Sequence, residues 1–261
     1  MSASRHAILL LGRGGLGSAA KNELQALREQ CQQQAGAAPV ALAFVDRAQP
    51  ALPEALDALL AAQPQGLERI TIQPVFVPDE PALRRWLEKL AMRWLAQQLP
   101  AERPRLIFAE PLGSAPQLAE LLLAQVQAAA TLPDVAQSQT GEDWQTDPLA
   151  WSDVPEHRRH VLWCTGPRCA AKGSVALWSL LQKSVQADPL LKKNTELLQT
   201  SCQYPCNHGP LMIVYPEGRW YGRLDADSVS AVLRSHLEGG ALAQTHCVHR
   251  LGQGDRGDAG D

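Results

Sequence analysis

The chain has 261 residues, 45% of them hydrophobic and 20% charged, with a net charge of −3. That length allows one or two domains with cores of their own, and no apolar run approaches the length of a membrane span. The charge is unevenly spread: Lys and Arg against Asp and Glu number 12 and 12 over residues 1–130, none and six over 131–156, ten and six over 157–238, and two and three beyond.

Residues 6–12 read as a short buried strand that breaks at Gly12-Arg-Gly-Gly-Leu-Gly17. A helix follows over about 18–34, with Cys31 inside it as a packed thiol. A second strand covers 40–45, and a proline-started helix follows Gln49. A third strand over 69–77, a long amphipathic helix over 80–98, a fourth strand over 105–110 and a helix over 116–130 continue the pattern. Such alternation predicts a parallel sheet flanked by helices, with any site at the carboxyl ends of the strands. Gly12-x-Gly14-x-x-Gly17 matches the dinucleotide fingerprint, but Asp46 lies somewhat far off for the acid that should accompany it, so nucleotide binding is the weaker reading.

Residues 131–156 are polar, acidic and without periodicity, which predicts a linker; Trp144 and Trp151 are expected to pin it to one domain, with a partner contact as the other reading. Residues 159–163 form a strand leading into Cys164, and 173–183 show helical spacing behind Cys169. A strand-like run over 195–201 enters a second cysteine pair, residues 211–222 read as a hairpin turning at Glu217-Gly218, and a capped helix covers 225–237. Residues 239–261 are rich in Gly and Asp and are expected to be a flexible tail. Within that tail, His246-Cys-Val-His249 offers three potential ligands and falls short of the four a metal site requires.

Cys164 and Cys169 enclose four residues, Cys202 and Cys206 enclose three, and 32 residues separate the pairs. Four thiolates on two loops suit an iron-sulfur cluster closed from opposite sides; tetrahedral zinc and disulfides are the competing readings. The opening Met1-Ser-Ala-Ser-Arg-His6 lacks the features of a secretory leader, so the chain is expected in the reducing cytoplasm, where structural disulfides are rare. The first pair lies on a strand-to-helix loop, whose free N–H groups favour thiolate and sulfide charge. The mildly basic surroundings suit an acidic redox partner protein; neither a dense basic stripe nor a motif points to nucleic acid.

With Asn207-His-Gly-Pro210 and Val214-Tyr-Pro-Glu-Gly-Arg-Trp-Tyr-Gly222, the cysteine pairs resemble the thioredoxin-like 2Fe-2S ferredoxins and the related small subunit of respiratory complex I. The resemblance spans about 157–238. It implies a thioredoxin-like α/β domain, Cys164, Cys169, Cys202 and Cys206 as ligands of a 2Fe-2S cluster, one-electron transfer to a partner protein, and a homodimer. His208 is either a hydrogen-bond donor that tunes the potential or a plain turn residue. Tyr215, Trp220 and Tyr221 are expected to pack the hairpin face rather than to form an electron path.

The strand ends of residues 5–130 carry a second resemblance. Leu9-Leu-Leu-Gly-Arg-Gly-Gly15, Leu42-Ala-Phe-Val-Asp-Arg-Ala-Gln-Pro50, Ile72-Gln-Pro-Val-Phe-Val77 and Ala109-Glu-Pro-Leu-Gly113 are similar to a class II sirohydrochlorin chelatase half-domain. The likeness implies an enzyme that inserts cobalt, nickel or iron into a tetrapyrrole through histidines after the first and third strands. Here Gly12-Arg13-Gly14 replaces Gly-His-Gly, and Pro78-Asp-Glu-Pro81 holds no histidine. An arginine repels a divalent cation and accepts no proton, and His6 lies at the wrong end of its strand. Asp46, Asp79, Glu80 and Glu110 are candidate substitutes, more simply read as strand-end and cap residues. Arg13 is a candidate contact for an anion such as a tetrapyrrole carboxylate.

The expected organisation is thus an α/β chelatase-like domain over 1–130, an acidic linker over 131–156, a ferredoxin domain over 157–238 and a tail over 239–261. The favoured function is electron transfer linked to tetrapyrrole or cobalamin metabolism. An active cobalt or iron chelatase with a regulatory cluster is the alternative, and a zinc-bound interaction module is the third reading.

Overall fold

The structure, a computed structural model, describes residues 5–138, 141, 143–237 and 244–251. Strands β1 (His6–Gly12), β2 (Val40–Phe44), β3 (Arg69–Pro74) and β4 (Arg105–Phe108) form a parallel sheet in the order β2-β1-β3-β4. Helices α1 (Ala19–Gln34), α2 (Leu52–Ala61) and α3 (Pro81–Gln97) are the crossovers, and α4 (Pro116–Ala128) follows β4. Because β1 is covered on both faces, its run Ala7-Ile-Leu-Leu-Leu11 is apolar at every position instead of alternate ones. Ala7, Leu9 and Leu11 pack with Leu56 of α2 and Leu87 and Trp94 of α3. Leu10 turns the other way, joining Val40, Leu42 and Phe44 beneath Leu24, Leu27 and Cys31 of α1. The indole Nε1 of Trp94 donates to Asp57 Oδ1 at 2.7 Å and ties α3 to α2. By contrast α4 buries no residue, and Leu121, Leu122, Leu123 and Val126 are each more than half exposed.

Between α4 and residue 158 the described residues make the short helix α5 (Val135–Ser138) and single 3-10 turns. Trp144 and Trp151 do not pin this stretch to a domain: they are 63% and 76% exposed. Each sits in a three-residue 3-10 turn, too short to align apolar neighbours into a face that an indole could join.

The second sheet runs β6-β5-β7-β8-β9, built from β5 (Arg159–Cys164), β6 (Thr195–Thr200), β7 (Met212–Tyr215), β8 (Arg219–Tyr221) and β9 (Cys247–Arg250). β5 pairs parallel with β6 across α6 (Pro167–Ala170), α7 (Ser174–Ala187) and α8 (Pro189–Asn194), while β7, β8 and β9 pair antiparallel in succession. After β8 comes α9 (Ala226–Val232), capped by Asp225, whose Oδ1 accepts from the Ser228 N–H at 2.8 Å. Strand-helix-strand followed by hairpin and helix is the thioredoxin-like order expected from the sequence. Val161, Trp163, Leu181, Met212, Val214 and Tyr221 form its core, and the buried Trp163 Nε1 donates to Ser174 O at 2.9 Å.

The tail needs a correction, because Cys247–Arg250 is not flexible but forms β9, with Trp220 opposite His249 and Leu251 N donating to Gly218 O at 2.9 Å. A free edge on β8 offers unpaired backbone groups, and that pairing needs no apolar signal in the added strand. Of the expected tail, residues 239–243 and 252–261 lie outside the described residues.

Candidate functional site

Cys164 is the last residue of β5, and the chain then turns through Thr165 and Gly166 into α6, which carries Cys169. The turn is held from two sides: Cys164 N donates to Leu211 O at 3.1 Å, and Thr165 N donates to Thr200 O at 3.0 Å. Cys202 follows β6, and Cys206 opens a one-turn 3-10 helix over Cys206–His208. The Lys172 ammonium donates to the carbonyls of Cys206 and Asn207 at 3.1 and 3.2 Å, fastening the second loop to the first.

The four thiols gather as two pairs. Cys202 and Cys206 place their sulfurs 3.3 Å apart, near the roughly 3.8 Å that two thiolates on one tetrahedral metal require. Cys164 and Cys169 are hydrogen-bonded to each other. That bond, from Cys169, is the main cause that pulls the Cys164 thiol down to about 6; backbone N–H groups of Gln203 and Gly166 reinforce it, and burial opposes it. The same bond, with burial, pushes Cys169 up. Burial first, then the contact with Cys202, raises Cys206. Among the described residues no set of three or more His, Cys, Asp or Glu is placed to hold a metal ion. Two separate pairs nevertheless suit a two-iron cluster, in which each iron takes two thiolates.

The loops approach closely enough to exclude any side chain between them. A Cβ on Gly166 would stand 2.8 Å from Cys202 N and Cα, and one on Gly209 would stand 2.7 Å from Cys169 Sγ. Cys164 and Cys169 are each 1% exposed, whereas Cys202 and Cys206 are half-buried. The pocket is thus closed on the sheet side and open on the side of the second pair. All six cysteines are free of disulfides.

The open side faces the first sheet. Arg13, Asp46 and Glu80, from the loops after β1, β2 and β3, line a cleft of about 350 Å³ together with Arg168, Cys202 and Tyr204. Arg13 donates to Asp46 Oδ2 at 2.8 Å and also to Glu80, and its guanidinium lies 5.5 Å from the centre of the Phe76 ring. It is therefore already paired with two carboxylates. Asp79 and Glu110 do not line the cleft. His6 is at the opposite end of β1, where Nε2 lies 3.0 Å from Thr71 Oγ1; burial first, then Arg69, lowers its pKa.

Sequence reasoning missed Arg47 and Arg168, which join the two domains across this cleft. Arg47 Nη2 donates to Ser201 Oγ at 3.2 Å, and the Arg168 guanidinium lies over the Trp86 ring of α3 at 5.2 Å. The signal for Arg168 was its place beside Cys169; nothing marked Arg47. In the hairpin, Tyr221 is fully buried in the core, and burial pushes its hydroxyl up to about 12. His208 Nδ1 is buried with no hydrogen-bond partner among the described residues, so it makes no bond to a cysteine sulfur through that atom.

Over 90 residues, 31% of this chain and 81% of its relative, the sequence is 33% identical to a 2Fe-2S ferredoxin of Aquifex aeolicus (strain VF5). The chain belongs to the 2Fe-2S ferredoxin family. It is also 32% identical over 98 residues to a 2Fe-2S ferredoxin of Clostridium pasteurianum, covering 34% of this chain and 93% of that one. The CbiX family model matches residues 7–129. The solved structure of a putative cobalamin (vitamin B12) biosynthesis CbiX protein from Marinobacter aquaeolei VT8 aligns at 24% identity and a TM-score of 0.40, covering 48% of this chain and 94% of that one. The molecule is thus a fusion of a CbiX-like domain with a ferredoxin domain.

Proposed function

We propose that this fusion is a one-electron carrier serving tetrapyrrole or cobalamin metabolism, with Cys164, Cys169, Cys202 and Cys206 holding a 2Fe-2S cluster beside a CbiX-like site that no longer inserts metal. The observation that carries the reading is the cleft, which brings Cys202 and the Arg13 trio to facing walls. A bound cluster supplies a one-electron couple. The chain's own residues do the rest. Cys164 and Cys169 anchor the buried side, while the backbone N–H groups of Gly166 and Gln203 donate to the Cys164 sulfur and favour its thiolate form. Lys172 holds the second loop rigid, so little rearranges when charge arrives. The half-buried second pair would hold the less enclosed side of the cluster, the side from which the couple would be reached by outer-sphere transfer with a redox partner protein.

The carboxylates that flank the CbiX-like site do not face an open position. A guanidinium bridges Asp46 and Glu80, where a divalent cation would have to bind, and neither a histidine nor another neutral base stands in the cleft lining to accept the pyrrole protons. The expected result of incubating the purified protein with sirohydrochlorin and cobalt(II) is therefore insertion at the uncatalysed rate. Insertion well above that rate, abolished in Asp46→Asn, would overturn the carrier reading in favour of a chelatase that uses carboxylates.

A further inference from the structure

Val248 departs from the pattern of its strand. Trp220 stands opposite His249 and Tyr221 opposite Cys247, so Val248 faces no residue of β8, and β9 bulges there. The bulge is fixed at both ends: Gly222 N donates to His246 O and Leu251 N to Gly218 O, each at 2.9 Å. A bulge re-aims a side chain, and bulges collect beside functional sites. Here it carries the one aliphatic residue of Cys247–Arg250, which packs against the buried group of Cys164, Cys169 and Leu211.

The neighbouring residues leave that path clear. Gly222 lies between the bulge and the second cysteine loop, where a Cβ would stand 2.7 Å from His208 O and 3.1 Å from Val248 Cγ1. On its other side Val248 lines a hollow of about 390 Å³ with Pro205, His208, Trp220 and His249. That space holds on the order of ten waters. One half-buried side chain therefore stands between a hollow open to solvent and two thiols that are each 1% exposed.

We infer that Val248, aimed by the bulge in β9, is a shielding residue of the four-thiol site: it closes the buried pair off from the hollow and holds the reduction potential of a bound cluster down. Reduction adds a negative charge, which water stabilises and an apolar neighbour does not, so solvent exposure raises the potential. The inference deepens the proposed function and rests on it for the potential, though not for the shielding of the thiols.

The test compares the full chain as wild type, Val248→Ala, Val248→Ile and Gly222→Ala, each purified anaerobically. Labelling of each cysteine by iodoacetamide is read by mass spectrometry, and the reduction potential comes from a dye-mediated titration followed by visible absorption. In Val248→Ala, Cys164 and Cys169 are expected to label several-fold faster, and the potential rises. Cys247, next to the substituted residue but packed on the domain core, labels as in wild type. Val248→Ile keeps both readouts near wild type, while Gly222→Ala, which pushes Val248 aside, moves them as Val248→Ala does. Unchanged labelling and potential in Val248→Ala would overturn the inference, because the wall is then elsewhere. Faster labelling of Cys247 in step with the other two would overturn it as well, because the whole strand has then come away. A chain that holds no iron refutes the carrier reading alone, and the labelling still decides for or against the wall.

Discussion

Arg13 illustrates how much a single residue's chemistry depends on partners far away in the chain. That an arginine stands where a ligating histidine is expected can be read directly, because only the residue type matters. Its balancing carboxylates lie 33 and 67 residues downstream, and no local pattern links them. The cysteines were legible for the opposite reason: their short spacing within each pair already encodes the loop. What holds those loops together was less visible. Gly166 reads as an ordinary turn glycine, yet a methyl group there would press on the backbone of Cys202. Overpacking of this kind costs about 1–3 kcal/mol. Gly166→Ala is accordingly expected to bind markedly less iron per chain than wild type; iron content and Tm equal to wild type would show that the loops yield without consequence.

At the scale of elements, periodicity placed the strands of both sheets up to β8 and the longer helices that bury an apolar face. It also marked α4, which buries no residue, and left the short helices α6 and α8 unmarked. The hairpin turn at Glu217-Gly218 falls where the composition put it, with Gly218 at φ 58°. Periodicity could not place β9, whose pairing is carried by backbone groups and by the His249 ring set edge-on to Trp220 at 6.3 Å. Nor could it tell that the final helix gives way to a π-helical turn at Leu233–Leu237. One tie at this scale is open to measurement. Trp163, on β5, donates to a carbonyl at the start of α7 from a fully buried indole. Trp163→Phe leaves that acceptor unpaired and opens space, so the ferredoxin domain should lose about 1–3 kcal/mol. Urea unfolding followed by circular dichroism measures it, and a midpoint equal to wild type would mean that the bond contributes nothing net.

For the whole molecule, the arrangement of the two domains is what sequence could not supply. Each was recognisable from its own motifs, but the contacts that join them are Arg47 to Ser201 and Arg168 to Trp86, pairs without any spacing rule. They turn the carboxyl ends of the first sheet toward the second cysteine pair. Everything depends on the four thiols binding iron rather than zinc. The deciding measurement is iron and acid-labile sulfide per chain, with a visible spectrum, on anaerobically purified wild type and Cys202→Ala. The account predicts brown protein with about two irons and two sulfides, lost in the variant. Colourless protein carrying stoichiometric zinc would contradict it.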